Sequence, residues 1–362
     1  MFLEKIQISN FRNITNTKLT FNSKFNIIHG DNGNGKTNLL EAIYYTTSLK
    51  PIKKKNKLTH LINDKAQHSI LNSTFKNNSY REEIKIIITP QKKALIYNNN
   101  TNTDIKSYLH KFQAVLFTPD DLMIIKGEPE MRRELFNKAI FHSNQFYYSY
   151  IRDYNRILKS RNKILKEMHE NKTNNSELLN ALNQQFANLS LKIYEERINY
   201  LIDYIPILIK IINNLSNKEY LPYLVYKTDF NYKDREQFLL KLKNKQYLEI
   251  RQKRTLIGPH LDDYKIMTND KEIRFFGSQG EIRLFALAIK ISQIVYIYEK
   301  TNQYPILLLD DISSELDEKR KDFLFNFLKT IDTQIFITTT SLSNLPKLES
   351  SSFYHVKNGD FS

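Results

Sequence analysis

The sequence predicts an α/β domain assembled from both ends of the chain, with a helical lobe inserted between them. Three observations carry that prediction. "KFNIIHGDNGNGKTNLLEAIYY" runs from a short apolar strand through a glycine-rich turn into a helix. "YPILLLDD" and "TQIFITTT", near the other end, are apolar runs of strand length, the pattern of strands buried on both faces. From about residue 128 to residue 198, apolar positions recur at helical spacing instead.

The elements follow in order. Leu3, Ile6, Ile8 and Phe11 alternate with polar residues and predict a half-buried first strand. Leu39, Leu40, Ile43 and Tyr44 set the apolar face of a helix over Lys36 to Leu49. Residues 51 to 119 read as strand-rich, in "HSILNSTF", "YREEIKIIIT", "KALIYNN" and "AVLFTP", with Asn-rich turns between. The basic run Lys50 to Lys57 is a loop. "PEMRRELF…ILKEMHE" predicts one long helix, with Ile151, Tyr154, Leu158 and Leu165 as its stripe. After the polar break "NKTNNSE", a second helix carries Leu178, Leu182, Phe186, Leu189, Ile193 and Ile198. The two form an αα-hairpin. "TLIGPHLDDYKI" and "KEIRFF" read as strands, Gly280 to Glu299 and "DEKRKDFLFNFLKT" as helices. Residues 1–119 and 220–362 are thus expected to form the head, and 120–219 the helical arm.

Composition bounds the function. The chain of 362 residues carries 54 basic and 39 acidic side chains, a net +15, which favours a polyanionic partner. No run of 18 apolar residues predicts a membrane span. "MFLEKIQISNF" does not read as a signal peptide. The absence of cysteine excludes disulfides and cysteine-bound zinc and fits a cytoplasmic protein. His29, His60 and His260 stand apart, with no ligand spacing that predicts zinc.

Gly30-x-x-x-x-Gly35-Lys36-Thr37 is the pattern of a nucleotide-phosphate loop. Its glycines let backbone N–H groups turn inward towards phosphate oxygens, and the following helix adds its positive end. The candidate contacts are Gly30, Asp31, Asn32, Gly33, Asn34, Gly35, Lys36, Thr37 and Asn38. Lys36 supplies charge to the β- and γ-phosphates, and the Thr37 hydroxyl can ligate Mg²⁺. A buried strand ending in Asp310 and Asp311 offers the second oxygen ligand, Asp310, and a carboxylate to polarise water, Asp311. Ser278, Gln279, Gly280 and Glu281 open a further helix, again a place where phosphate can bind.

"GSQGE", "LLLDD" and "SSELD" together resemble an ATP-binding-cassette ATPase of the SMC and DNA-repair branch. "ISNFRNI", "VLFTPDDLMIIKGEPEMRRELFNKAI", "TLIGPHLDDY" and "FITTTSL" extend the resemblance over essentially the whole chain, in order, to the RecF family. Thr37 and Ser278 lie 241 residues apart, room for a compact arm but not for an SMC coiled coil. The resemblance implies an SMC-head-like fold and an ATP site completed by Ser278 and Gly280 of a second subunit. It also implies an interface loop containing Ser314, Leu316 and Asp317. It implies a DNA clamp opened by slow hydrolysis, working at gaps with RecR and RecO to help load RecA. Gln279 stands where most cassettes have glycine, and Asp311 where most have glutamate. Threonine, around Thr339, stands where most cassettes have the switch histidine, and Asp120 takes the Q-loop position.

Arg12 is read either as a nucleotide contact, as the resemblance implies, or as a surface arginine in a turn. Arg152, Arg156, Lys159, Lys163 and Lys166 share one helical face. A solvated arm face is the favoured reading, a DNA-phosphate track the other. Tyr147, Tyr148, Tyr150 and Tyr154 are read as core before base-stacking groups. The rival classes are a transporter-type cassette and a non-catalytic nucleotide-dependent scaffold.

Overall fold

The computed structural model describes residues 1–53, 56–77, 80–170, 175–216, 222–228, 234–311 and 316–362. Lys54 and Lys55 of the basic run, the polar break at 171–174, Ser314 and the expected boundary at 219/220 lie outside the described residues.

The chain opens with β1 (Phe2–Phe11), β2 (Ile14–Thr20), β3 (Phe25–His29) and α1 (Lys36–Ser48). β4 (Ser69–Lys76), β5 (Arg81–Ile88), β6 (Lys93–Tyr97), α2 (Ile105–Lys111) and β7 (Ala114–Phe117) follow. The middle holds α3 (Met123–Lys126), α4 (Pro129–Ser143), α5 (Phe146–His169) and α6 (Ser176–Leu215). Then come β8 (Pro222–Lys227), α7 (Arg235–Gln252), β9 (Asp263–Thr268), β10 (Lys271–Glu272), α8 (Ile273–Phe276) and α9 (Gln279–Thr301). β11 (Ile306–Asp310), α10 (Glu318–Thr330), β12 (Ile335–Thr339), β13 (Ser351–Lys357) and β14 (Asp360–Phe361) complete it.

The first compact unit comprises Met1–Asp121 and Ile297–Ser362. Its six-stranded sheet has the order β14-β13-β3-β12-β11-β7. β13, β3, β12, β11 and β7 run parallel, so the glycine loop after β3 and Asp310 at the end of β11 emerge at the same edge. A five-stranded antiparallel sheet, β2-β1-β4-β5-β6, supplies the other layer. Ile6, Ile8, Leu71, Phe75 and Ile86 meet Leu39, Leu40 and Ile43 of α1 and Ile28, Leu308 and Phe336 of the parallel sheet in one core. Each such buried side chain contributes about 1.5–3 kcal/mol. Alternation buries one face of β1, whereas β11 and β12 are buried along their whole length, as their unbroken apolar runs require.

The second unit spans Leu122–Tyr296. Its return boundary falls at 296/297 instead of near 220, because β8 pairs with β9, α7 packs on α5 and α6, and β9 packs on α4. The stretch read as one helix from residue 129 is two. Asn144 breaks it with an extended backbone, and its carboxamide accepts the Phe146 N–H at 3.0 Å. α6 is longer than the sequence pattern suggested and contains Pro206. "TLIGPHLDDYKI" becomes strand only at Asp263, and "KEIRFF" is a two-residue strand followed by helical α8. α2 and α7 were not foreseen, although Asp104 and Asp234 cap them by accepting the N–H groups two and three residues ahead. No helix of the described residues is long and apolar enough to cross a membrane.

Candidate nucleotide site

The glycine loop is shaped by close backbone contacts. Gly30 has φ of 149°, and a Cβ there would lie 2.4 Å from the Val356 carbonyl oxygen. Gly35 has φ of 111° and packs on Asn13, whose Oδ1 would sit 2.8 Å from an added Cβ. Asn13 also donates to the Asn34 carbonyl at 3.3 Å and accepts from the Asn38 side chain at 2.7 Å. Gly359 N–H donates to the same Asn34 carbonyl at 2.8 Å. The loop is therefore held from both sides by segments far apart in sequence.

Lys36 starts α1 and folds back over the loop. Its Nζ donates to the carbonyls of Gly30 at 2.6 Å and Asp31 at 2.9 Å. Burial lowers its pKa, against the opposing pull of Asp311, Asp310 and Asp31. The Thr37 hydroxyl reaches both oxygens of Asp310, at 2.9 and 3.0 Å. β12 lies between β3 and β11, and its Thr338 hydroxyl donates to Asp310 Oδ1 at 2.8 Å. Burial raises the Asp310 pKa; the hydroxyls of Thr338 and Thr37 oppose that rise, Asp311 adds to it and Lys36 opposes it. Asp311 sits in the left-handed region with φ of 47°, its N–H donating to Thr338 Oγ1 at 2.9 Å. The structure thus brings Lys36, Thr37, Asp310 and Asp311 together at the carboxyl ends of parallel strands.

Other expected residues are placed elsewhere. Arg12 forms an ion pair with the buried Glu41 on α1, and Glu41 also accepts the Ile52 N–H at 3.0 Å. Ser278 and Glu281 cap α9 reciprocally: Ser278 N–H donates to Glu281 at 2.8 Å, and Glu281 N–H to Ser278 Oγ at 3.2 Å. Ser278 and Gln279 are exposed, and Gly280 is half-buried. Asp317 is exposed at the start of α10, where it accepts the Arg320 N–H at 3.0 Å. Asp120 lies exposed in a short turn, while the neighbouring Asp121 carboxylate accepts the Thr118 N–H at 3.0 Å. Thr338 is the threonine on Asp310; Thr339 donates instead to Ser341 O at 2.9 Å.

On α5, Arg152, Arg156, Lys159, Lys163 and Lys166 are all exposed, with Asp153 and Glu167 paired among them. Tyr147 and Tyr154 are buried, donating to Asn137 Oδ1 and hydrogen-bonded to His260 Nδ1 respectively, at 2.6 Å each. They are core residues and cannot stack bases. His29 stands 5.2 Å from His355, ring to ring, on adjacent parallel strands. His60 Nδ1 accepts the Lys57 N–H at 3.3 Å. Sequence reasoning passed over Asn13, Glu41 and Thr338. "NFRN", "LLEAIYY" and "TTT" contain them, but nothing local marks which polar residue turns towards a distant partner.

The geometry can be set beside known proteins. The family model for the RecF/RecN/SMC N-terminal domain matches residues 2–359. A protein of Geotalea daltonii named DNA replication and repair protein RecF is 34% identical over 367 residues, 99% of each chain. One of the same name from Lactobacillus johnsonii is 32% identical, covering 100% of this chain and 99% of that one. The solved structure of the recombination mediator protein RecF-ATP in the RecFOR pathway superposes with a TM-score of 0.91 at 29% identity, over 100% of this chain and 97% of that one. An Smc head domain from Pyrococcus furiosus, at 16% identity and a TM-score of 0.57, covers 99% of this chain and 95% of that one and shares the fold. The SMC-head-like α/β fold expected from the sequence is the one observed.

Proposed function

The chain belongs to the RecF family of DNA replication and repair proteins, and from that premise we propose that it is an ATP-dependent, DNA-binding recombination mediator. One observation carries the nucleotide part. The Thr37 hydroxyl meets Asp310 beside a loop whose glycines adopt backbone angles that favour glycine. The loop N–H groups, with Lys36, would hold the phosphates of ATP. The residues fit a magnesium ion: Thr37 and Asp310 are the oxygen donors that a hard cation takes. Bound there, the ion would neutralise charge on the β- and γ-phosphate oxygens. Asp311 would orient the attacking water, and its short side chain accords with slow turnover; stimulation by DNA would follow from the clamp proposed below.

Ser278, Gln279, Gly280 and Glu281 are exposed or half-buried at the start of α9, where Ser278 and Glu281 cap each other, and this accessibility supports a surface completed by a second copy. In this reading they cap the nucleotide held by the partner copy, and Asp317 lies at the crossing. ATP then closes a dimer on DNA near a single-strand gap, and hydrolysis reopens it. RecR and RecO as partners, and RecA as the recombinase served, follow from the family, as does a cytoplasmic location. The RecFOR pathway named for the solved RecF-ATP structure supports RecR and RecO as partners.

Sedimentation with ADP, with ATP and with ATP plus gapped duplex tests the reading. A monomer with ADP and a dimer with ATP, strengthened by DNA, is expected. Lys36→Ala and Ser278→Arg should abolish the dimer, and Asp311→Asn should trap it. An ATP-dependent dimer indifferent to Ser278→Arg would overturn the shared site.

A further inference from the structure

The first unit contains a cavity of about 710 Å³ at the end of the parallel strands opposite the glycine loop. Gln113, Ile306 and Thr333 line it, at or just before the first residues of β7, β11 and β12. Asp310 closes the other end of β11, about 13 Å away at ~3.3 Å per residue. The cavity is thus separate from the nucleotide site.

Its walls combine aromatic rings with carboxamides. Phe75 and Phe112, 4.8 Å apart and buried in the core, form the floor. Tyr298 and Tyr304 stack at 4.1 Å with 8° between their planes. Tyr80, with Lys111 Nζ 5.6 Å from its ring centre, is still 50% exposed, and Tyr298 is 37% exposed, although both line a recess. Asn77, Asn302 and Gln303 add groups that can donate and accept at once.

Two of the charged groups at the walls have opposite charges nearby. Lys111 pairs with the buried Glu82, and Asp332 lies within the field of Lys24. A charged ligand would gain little there. A flat, uncharged ring with donors and acceptors on its edge would gain both stacking and hydrogen bonds. We propose that this cavity binds an unpaired nucleobase, carried by a single strand or free as a nucleoside. The net charge of +15 would attract the strand without the cavity itself holding a phosphate.

The full chain, saturated with ADP to occupy the glycine loop, is photo-crosslinked to an oligothymidylate carrying one 4-thiothymidine. The attachment site is read by peptide mass spectrometry, and affinity by fluorescence anisotropy, with thymidine as competitor. Crosslinks on the Tyr80 or Tyr298 peptides, with Tyr80→Ala weakening the strand about 10-fold, are expected. Gln303→Leu, at an exposed position, should weaken it less. Competition by thymidine would identify the free nucleoside as a ligand too; crosslinking without competition would restrict the site to strands. Crosslinks elsewhere with unchanged affinity in both variants would overturn the proposal. So would protection of Tyr298 and Tyr304 by a peptide but by neither oligonucleotide nor thymidine.

Discussion

At the glycine loop, Lys36 and Asp310 are 7% and 9% exposed, and burial moves each towards its neutral form. In the helical lobe, buried charge is settled differently. Arg161 is fully buried, yet it bonds Asn183 at 2.8 Å and Thr255 at 2.7 Å and pairs with Glu249. Arg197 reaches Tyr226 at 3.0 Å and the Pro259 carbonyl at 2.8 Å. Burial works against its charge but is outweighed by Tyr147, Tyr264 and Tyr226, so its pKa rises. Asp263 shows the same balance: burial is outweighed by the two-pronged Arg132 contact, and its pKa falls. The lobe completes its ion pairs internally. The loop site keeps its charges at a cost that an external phosphate and cation would relieve, a common trade of stability for function.

Breaking a completed pair should show the largest effect. Glu249→Ala leaves Arg161 buried without its carboxylate and should cost about 3–5 kcal/mol in urea unfolding. Arg161→Met combined with Glu249→Leu should recover most of it. A single variant as stable as the parent would mean that the lobe does not depend on the pair.

His260 comes next. It accepts or donates at Tyr154, stands near Arg133, Arg161 and Arg197, and burial with those neighbours depresses its pKa from 6.5 to about 4, despite the opposing Thr255 carbonyl contact. A depressed pKa gives stability that is full above 6.5 and lost as pH falls through about 4. The loss is worth roughly 3 kcal/mol. Unfolding free energies between pH 7 and 4 should fall more steeply for the parent than for His260→Asn. Parallel curves would remove His260 from the balance.

Asp310→Asn tests the loop site and should have the smallest effect on stability. The raised pKa of Asp310 gives stability that is present below its ordinary 3.8 and lost as pH rises through the folded value. At pH 7 the substitution should therefore raise the melting temperature of the nucleotide-free protein by a few degrees, with no gain near pH 3. It should also abolish the thermal shift produced by ATP and magnesium. A destabilised variant at pH 7 would show that the carboxylate serves the fold.

Much of this was legible in the chain. Gly30, Gly35, Lys36 and Thr37 lie within one turn and helix start, and "ILLLDD" is one strand end, so local spacing suffices to find them. Residues 144, 255 to 262 and 273 to 276 depart from the expected pattern, whereas 263–268 and 271–272 are strand as expected. Asn144 can continue or break a helix, and the segment before Asp263 is apolar enough for a strand, yet buried arginines from α5 and α6 bind it as a loop.

By itself, the sequence determined the parallel core, the phosphate-binding loop and the acidic strand end, because each is encoded by neighbours a few residues apart. Tertiary structure alone decided that Thr338 reaches Asp310 and that Asn13 supports Gly35. It alone assigned residues 222–296 to the helical lobe. Those outcomes rest on partners tens to hundreds of residues away, and a polar side chain's bonding partner leaves no periodic mark on the chain around it.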